Sequence, residues 1–315
     1  MLKMGQSSDL ASDRAAQILK KADELLAPML GENAIALAVS GGVDSLALMI
    51  LARSWLDNEQ NKKLCPKIHI YSVDHGLRVE SAMECSGVKT LAESFGFEHQ
   101  TLVWQGKKPA TGVQAAARMA RYRLIGEQMA LDGVKYLLSG HHMDDQAETI
   151  LMRLAHSSGL SGLKGMEPFS EIFGIEIFRP LLGMGREDLN DIVGQAGLDA
   201  FNDPSNENPK YERVRWRKLL SDIKDSGLNA ANLSKFATRV GRADRALDHF
   251  SSEQYRNCVE QNKFGVQMIS HEQLIAQPEE IAIRLLGKMI YCGSGGRSAG
   301  ELSQLEDLVG KFSDP

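Results

Sequence analysis

Two short stretches combine residue types and spacings that suit phosphate and cation chemistry. The first is IALAVSGGVDS, Ile35 to Ser45. Its opening run, Ile35 to Ser40, is short, apolar and bounded by glycines, as expected of a strand buried on both faces of a parallel sheet. Gly41 and Gly42 lack a Cβ, so the backbone there can take positive φ and approach an oxyanion closely. Val43, Asp44 and Ser45 then open a helical pattern. Backbone N–H groups of such a turn and of the helix's first turn point at one spot, where the helix dipole also favours negative charge. The lysine-bearing loop GxxxxGKS/T is a different device, because here no lysine or arginine follows the glycines before Arg53. The second stretch is GHHMDDQAET, Gly140 to Thr149. If a helix begins near Met143, Asp144 and Glu148 stand four apart and Asp145 and Glu148 three apart, so at least two carboxylates share a face. A metal ion or an ammonium group would relieve that repulsion, and Mg²⁺ takes one or two carboxylates plus substrate phosphates. Acids in a first helical turn also answer the dipole, but the neighbouring His141 and His142 add groups that titrate near neutrality.

Both stretches need strand ends to hold them, and the chain supplies a matching pattern. An amphipathic helix is expected over 11–30, with Ala15, Ile18, Leu19, Ala22, Leu25 and Leu26 near helical spacing. After the glycine turn, 45–56 is apolar almost all round, the mark of a helix pressed on a sheet. KIHIYSVDH (67–75) predicts a second strand, 79–96 a helix, 97–104 a strand, 111–132 a long helix, 134–139 the fourth strand and 143–155 the fourth helix. Strands alternating with helices imply an α/β fold with a doubly wound, mostly parallel sheet. Ligands in such sheets bind outside the carboxyl ends of the strands, where both stretches fall.

At 315 residues the chain exceeds the usual single domain, so two domains are expected, divided as 1–225 and a helical 226–315. With 43% hydrophobic and 24% charged residues it reads as globular. A formal net charge of -5 means that a nucleic-acid partner would have to be held by local basic patches. Cys65, Cys85, Cys258 and Cys292 are widely spaced with no CxxC pair, which argues against zinc ribbons, iron–sulfur ligation or a dithiol redox site. The N-terminus lacks the apolar core of a secretory signal, and no apolar run approaches the ~18 residues of a membrane span. The cytosol is the expected compartment, with no membrane partner.

SGGVDS resembles the loop of the ATP pyrophosphatases, which cleave ATP between the α and β phosphates. Together with VDHGLR (73–78), AAARMARY (115–122), GHHMDDQAETILMRL (140–154), RPLL (179–182) and DPSN (203–206), in that order, it resembles the tRNA(Ile)-lysidine synthetase family over roughly 35–220. The resemblance implies an adenine nucleotide α-hydrolase-like fold. It implies ATP and Mg²⁺ as cofactors, and free lysine and the isoleucine tRNA with anticodon CAU as partners; a homodimer is left open. The implied reaction adenylates the 2-carbonyl oxygen of the wobble cytidine, after which the lysine ε-amine displaces AMP. It implies Ser40, Gly41, Gly42, Val43, Asp44 and Ser45 on the ATP phosphates, with Asp44 and Asp145 as metal candidates. Asp44, His142 and Asp145 become the catalytic set. Asp144 and Glu148 would meet the lysine ammonium, Arg118 and Arg121 the phosphate or AMP, Arg186 nucleotide or tRNA, and Arg213 and Arg217 the lysine or tRNA substrate.

Two departures stand out. The family's arginine–glycine pair before SGL is replaced by Ala155, His156, Ser157 and Ser158, and its RNxxR reads here Arg213, Val214, Arg215, Trp216, Arg217. After about Asp225 no catalytic signature appears, but Asn232 to Phe250 is amphipathic, with Arg239, Arg242 and Arg245 at three-residue steps. In the family the segment beyond the catalytic domain helps grip tRNA, and the end at KFSDP leaves a further domain open. Other readings would need other residues. A tRNA thiolase of the same loop class would need cysteines near the site, and no motif contains one. A regulatory nucleotide-binding module would not require GHHMDDQAET.

Overall fold

The computed structural model describes residues 14–58, 64–78, 80–201 and 208–313. The DPSN motif and residues 11–13 of the first expected helix lie outside the described residues. These fall into two compact units, one within Met1–Thr149 and Met166–Ser234, the other within Ile150–Gly165 and Lys235–Pro315.

The first unit is built on six strands: β1 (Ala34–Ala38), β2 (Lys67–Asp74), β3 (Glu98–Val103), β4 (Tyr136–Leu138), β5 (Phe169–Ile172) and β6 (Ile175–Phe178). Their order is β3-β2-β1-β4-β6-β5. All neighbours run parallel except the β5–β6 hairpin. Side chains alternate across β1, and this divides the core. Ile35 and Leu37 pack with Leu48, Leu51 and Trp55 of α1 (Val43–Asp57) and with Leu189 and Ile192 of α5 (Arg186–Gln195). Ala36 faces the other way, into Tyr122, Ile125 and Met129 of α3 (Val113–Asp132). Helices on both faces explain why β1 reads as an unbroken apolar run. They also explain α1, where every residue from Ser45 to Ala52 is buried. Helix α2 (Glu80–Ser94) packs on the α1 side through Val88 and Ala92. Helix α3 stops at Gly133, whose φ of 67° permits the left-handed cap.

The β5–β6 hairpin is absent from the sequence reading. Its turn places Phe173 (φ 53°) and Gly174 (φ 77°) in the left-handed region, the geometry a two-residue hairpin demands. Phenylalanine is an unusual first residue for such a turn, so the usual Asn-Gly or Asp-Gly flag is missing. The stacked cross-strand pair Phe169–Phe178, with ring centroids 4.5 Å apart, holds the register instead.

The second unit is helical apart from a two-stranded ribbon of Glu260–Gln261 and Gln267–Met268. Leu274, Ile283 and Leu286 of its core meet Leu305 and Val309 from helix Leu302–Ser313.

Candidate active site

The strand order reverses direction at β1 and β4, the point where open α/β sheets leave a crevice. The loops that follow these two strands are the two stretches singled out from sequence. Gly41 takes φ 85°, and Gly42 is the extended cap of α1. The Ser45 hydroxyl donates to the Gly42 carbonyl at 2.9 Å and accepts from the Ser40 N–H at 3.2 Å, so the turn is tied to the first turn of α1. Gly140 lets the β4 loop lie against that turn: a Cβ there would sit 2.7 Å from the Asp44 carbonyl oxygen.

These loops wall a cavity of about 470 Å³. Ser40, Gly42, Asp44, Ser45, Arg121, Asp145, Arg213 and Arg217 line it, with Val39, Val73, Ile125 and Leu137 supplying apolar wall. Gly41, Val43, His142, Asp144, Glu148 and Arg186 are not among the lining residues. Arg118 does not reach the cavity; it is exposed, with its guanidinium 5.0 Å from the Tyr122 ring centroid.

His142 is the hub behind the wall. It is buried, with Nε2 3.6 Å from Asp44 Oδ1 and 3.5 Å from Asp145 Oδ2, and Nδ1 3.3 Å from Asp144 Oδ2. Burial opposes its charged form, but the hydrogen bond to Asp144 and the charges of Asp145 and Asp44 outweigh it and raise its pKa. Asp44 moves the other way from most paired acids. Burial, helped by the charge of Asp145, raises its pKa against the pull of His142. Its Oδ1 is buried without a hydrogen-bond partner. For Asp145, burial is outweighed by His142 and Arg213, and the pKa falls. Asp144 is held low by His142, and its Oδ2 accepts the Arg186 N–H at 2.9 Å, so it also caps α5.

Glu148 settles the carboxylate crowding in helix α4 (Met143–Ala155) by a route the sequence pattern did not reveal. It is 1% exposed, and its two oxygens meet Arg213 Nε and Arg217 Nε, each at 2.7 Å, from helix α6 (Glu212–Ile223). The arginines are four apart, so one helix face delivers both. Arg213 also lies 3.3 Å from Asp145 Oδ1. Two guanidiniums therefore occupy the place expected for an ammonium at Glu148.

The chemistry of the remaining acids fits a hard cation. Asp44 has an orphaned buried oxygen, and Asp145 shares the His142 imidazole with it. Among the described residues no group of three or more His, Cys, Asp or Glu has the geometry of a protein-only metal cage. Mg²⁺ does not need one, since it completes its shell with phosphate oxygens and water.

A PP-loop domain model matches residues 14–223. The tRNA(Ile)-lysidine synthase of Rhodopseudomonas palustris is 39% identical over 306 residues, 96% of this chain and 86% of that protein. That of Bradyrhizobium diazoefficiens is 38% identical, covering 92% and 81%.

The chain belongs to the tRNA(Ile)-lysidine synthase family.

A solved U34-tRNA thiolase, NcsA from Methanococcus maripaludis, shares the fold at 14% identity, with a TM-score of 0.59 over 72% of this chain and 78% of that one. In this member of the lysidine synthase family the cavity also holds residues outside every motif. Cys85 lines it, and burial together with Asp74 and Glu84 pushes its thiol up to about 11, so it stays protonated. His141 and His75, both within motifs but given no role of their own, line it too. Burial drives each imidazole down to about 4, leaving both neutral.

Proposed function

We propose that this cavity binds ATP and the wobble cytidine of the isoleucine tRNA with anticodon CAU, adenylates the 2-carbonyl oxygen of that base, and lets the lysine ε-amine displace AMP to form lysidine. The chain is then an ATP-dependent, carbon–nitrogen bond-forming ligase, and ATP use follows from its PP-loop family. The observation that carries the reading is the meeting of a phosphate-type loop and a His142-centred carboxylate cluster on one cavity at the sheet's reversal point.

The loop N–H groups at the start of α1 and the Ser40 hydroxyl would hold phosphate oxygens. Asp44 and Asp145 would hold Mg²⁺, which when bound neutralises charge developing on the phosphates. His142 keeps the two carboxylates aimed at that spot. Arg121, at the cavity wall, takes the phosphate of AMP, while Arg118 is left to the tRNA side because it lies outside the cavity lining. Asp144 is the carboxylate assigned to the lysine ammonium, since Glu148 has both oxygens on guanidiniums. Arg213 and Arg217, held by Glu148, present positive charge to the nucleotide, and Arg186 adds positive charge behind Asp44. Catalysis is assigned to residues 1–225 and tRNA contact to 226–315, in a cytosolic enzyme that a homodimer would suit. Among the described residues no helix is long and apolar enough to cross a membrane.

The deciding experiment supplies ATP, Mg²⁺, lysine and isoleucine tRNA and measures pyrophosphate and AMP. Pyrophosphate release should require the tRNA, and AMP release should further require lysine. Release of both without tRNA, or of neither with it, overturns the reading.

A further inference from the structure

The phosphate loop is braced from outside the cavity by a ring that sits in a slot made of two glycines. Phe201 donates its N–H to the Gly41 carbonyl at 3.0 Å. Its ring lies so close to Gly41 that a Cβ there would come 2.4 Å from Phe201 Cδ2 and 3.2 Å from Val88 Cγ2. The ring's far end is equally close to a second glycine: a Cβ on Gly87 would come 2.6 Å from Phe201 Cζ. Gly41 belongs to the loop after β1, whereas Gly87 lies in the interior of α2. A glycine inside a helix weakens it relative to alanine, so its presence calls for a packing reason. The ring supplies that reason. Its tip faces Gly87 while its Cδ2–Cε2 edge meets Gly41, and no side chain larger than hydrogen fits at either place without moving it.

We infer that Phe201 is a positioning residue for ATP, holding Gly41 in its left-handed conformation through a slot that Gly87 keeps open. Gly41 precedes the cap of α1, so a shift there re-aims the N–H groups that the loop offers to phosphate. The slot also gives α2 a mechanical link to the loop, although Gly87 is not among the residues lining the cavity. The inference rests on the ATP-binding part of the functional reading.

Its test is a double-mutant cycle on the full chain, using Gly87→Ala, Phe201→Ala and the pair, with ATP affinity measured by titration calorimetry and melting temperature recorded in parallel. Gly87→Ala pushes the ring off Gly41 and should weaken ATP binding roughly tenfold, because small misplacements of binding groups are costly. Its melting temperature should hold or rise, since alanine favours a helix interior. Phe201→Ala should weaken ATP binding by a similar factor. The pair should bind ATP no more weakly than Phe201→Ala alone, because without the ring the new methyl has nothing to displace. Wild-type affinity in either single variant, or multiplying losses in the pair, overturns the inference. Failure of the tRNA reading would show separately, as absent tRNA-dependent pyrophosphate release by a wild-type chain that still binds ATP.

Discussion

Asp44 concentrates what the site needs from a single residue. It is placed by the glycine turn, half-buried beside His142, and one of its oxygens, Oδ1, is buried with no hydrogen-bond partner. Asp44→Asn should abolish pyrophosphate release while tRNA affinity stays within about twofold, because RNA affinity is set mainly by contacts to its phosphates. Turnover that survives in the variant would remove Asp44 from the chemistry. Gly140 has no side chain, yet its position is as demanding. Gly140→Ala would drive a methyl into the Asp44 carbonyl, a backbone group that cannot step aside, so ATP binding should weaken at least tenfold, with a stability loss of roughly 1–3 kcal/mol. Calorimetric ATP titration and denaturant unfolding read the two effects. Sequence made Asp44 legible because its neighbours SGG and S advertise a turn and a helix start. Gly140 was visible only as a motif boundary, since its partner lies 96 positions earlier and the need for hydrogen there arises from packing.

Between elements, the same contrast appears in how α4 and α6 meet. Spacing along α4 showed that Asp144, Asp145 and Glu148 crowd one region, and it called for a metal ion or an ammonium group there. It could not show that Arg213 and Arg217, about 65 positions on, supply the positive charge to Glu148. Glu148→Gln should destabilise the chain by roughly 2–4 kcal/mol, because it leaves two partly buried guanidiniums with a neutral partner. Lysine and ATP requirements should rise together, since the loss spreads through Arg213 to Asp145; a selective rise in the lysine requirement alone would return Glu148 to the ammonium. The parallel strands and their helices were legible from period and length, whereas the β5–β6 hairpin was not, because Phe173-Gly174 carries only half of the usual turn signal.

In the second unit, Asp244 of helix Ala230–Cys258 accepts from Ser161 Oγ at 2.6 Å and meets Lys164 at 3.1 Å and Arg284 at 2.8 Å. Against the cost of burial, these partners hold its carboxyl at about 2. A depressed acid contributes stability above its unfolded pKa, near 3.9, and that contribution is lost as pH falls through the folded value. Asp244→Asn should therefore cost on the order of 1–2 kcal/mol at pH 7, with the deficit narrowing between about pH 4 and pH 2. Unfolding free energies of both proteins across that range give the answer, and a deficit independent of pH would make it a matter of hydrogen-bond geometry alone.

At the scale of the whole molecule, a net charge of -5 sits awkwardly with a polyanionic substrate, so affinity has to come from where the cations stand. On helix Ala230–Cys258, Leu233, Ala237, Val240 and Asp244 are buried, while Arg239, Arg242 and Arg245 are all exposed. Three-residue steps turn successive arginines by about 60°, so the three share one broad side of the helix, away from the buried stripe. Their charge reaches RNA phosphates only within about a Debye length, roughly 8 Å at physiological salt, which makes a local cluster count for more than the overall sign. If each arginine neutralises one phosphate, replacing all three by alanine should flatten the slope of log affinity against log salt by about two to three units. The acidic remainder of the chain should leave the slope itself steep in the wild type. Filter binding of isoleucine tRNA from low to moderate salt measures both slopes. An unchanged slope in the triple variant would make these arginines a solvated helix face and move the search for the RNA contact to Arg118, Arg215 and Lys218 of the first unit.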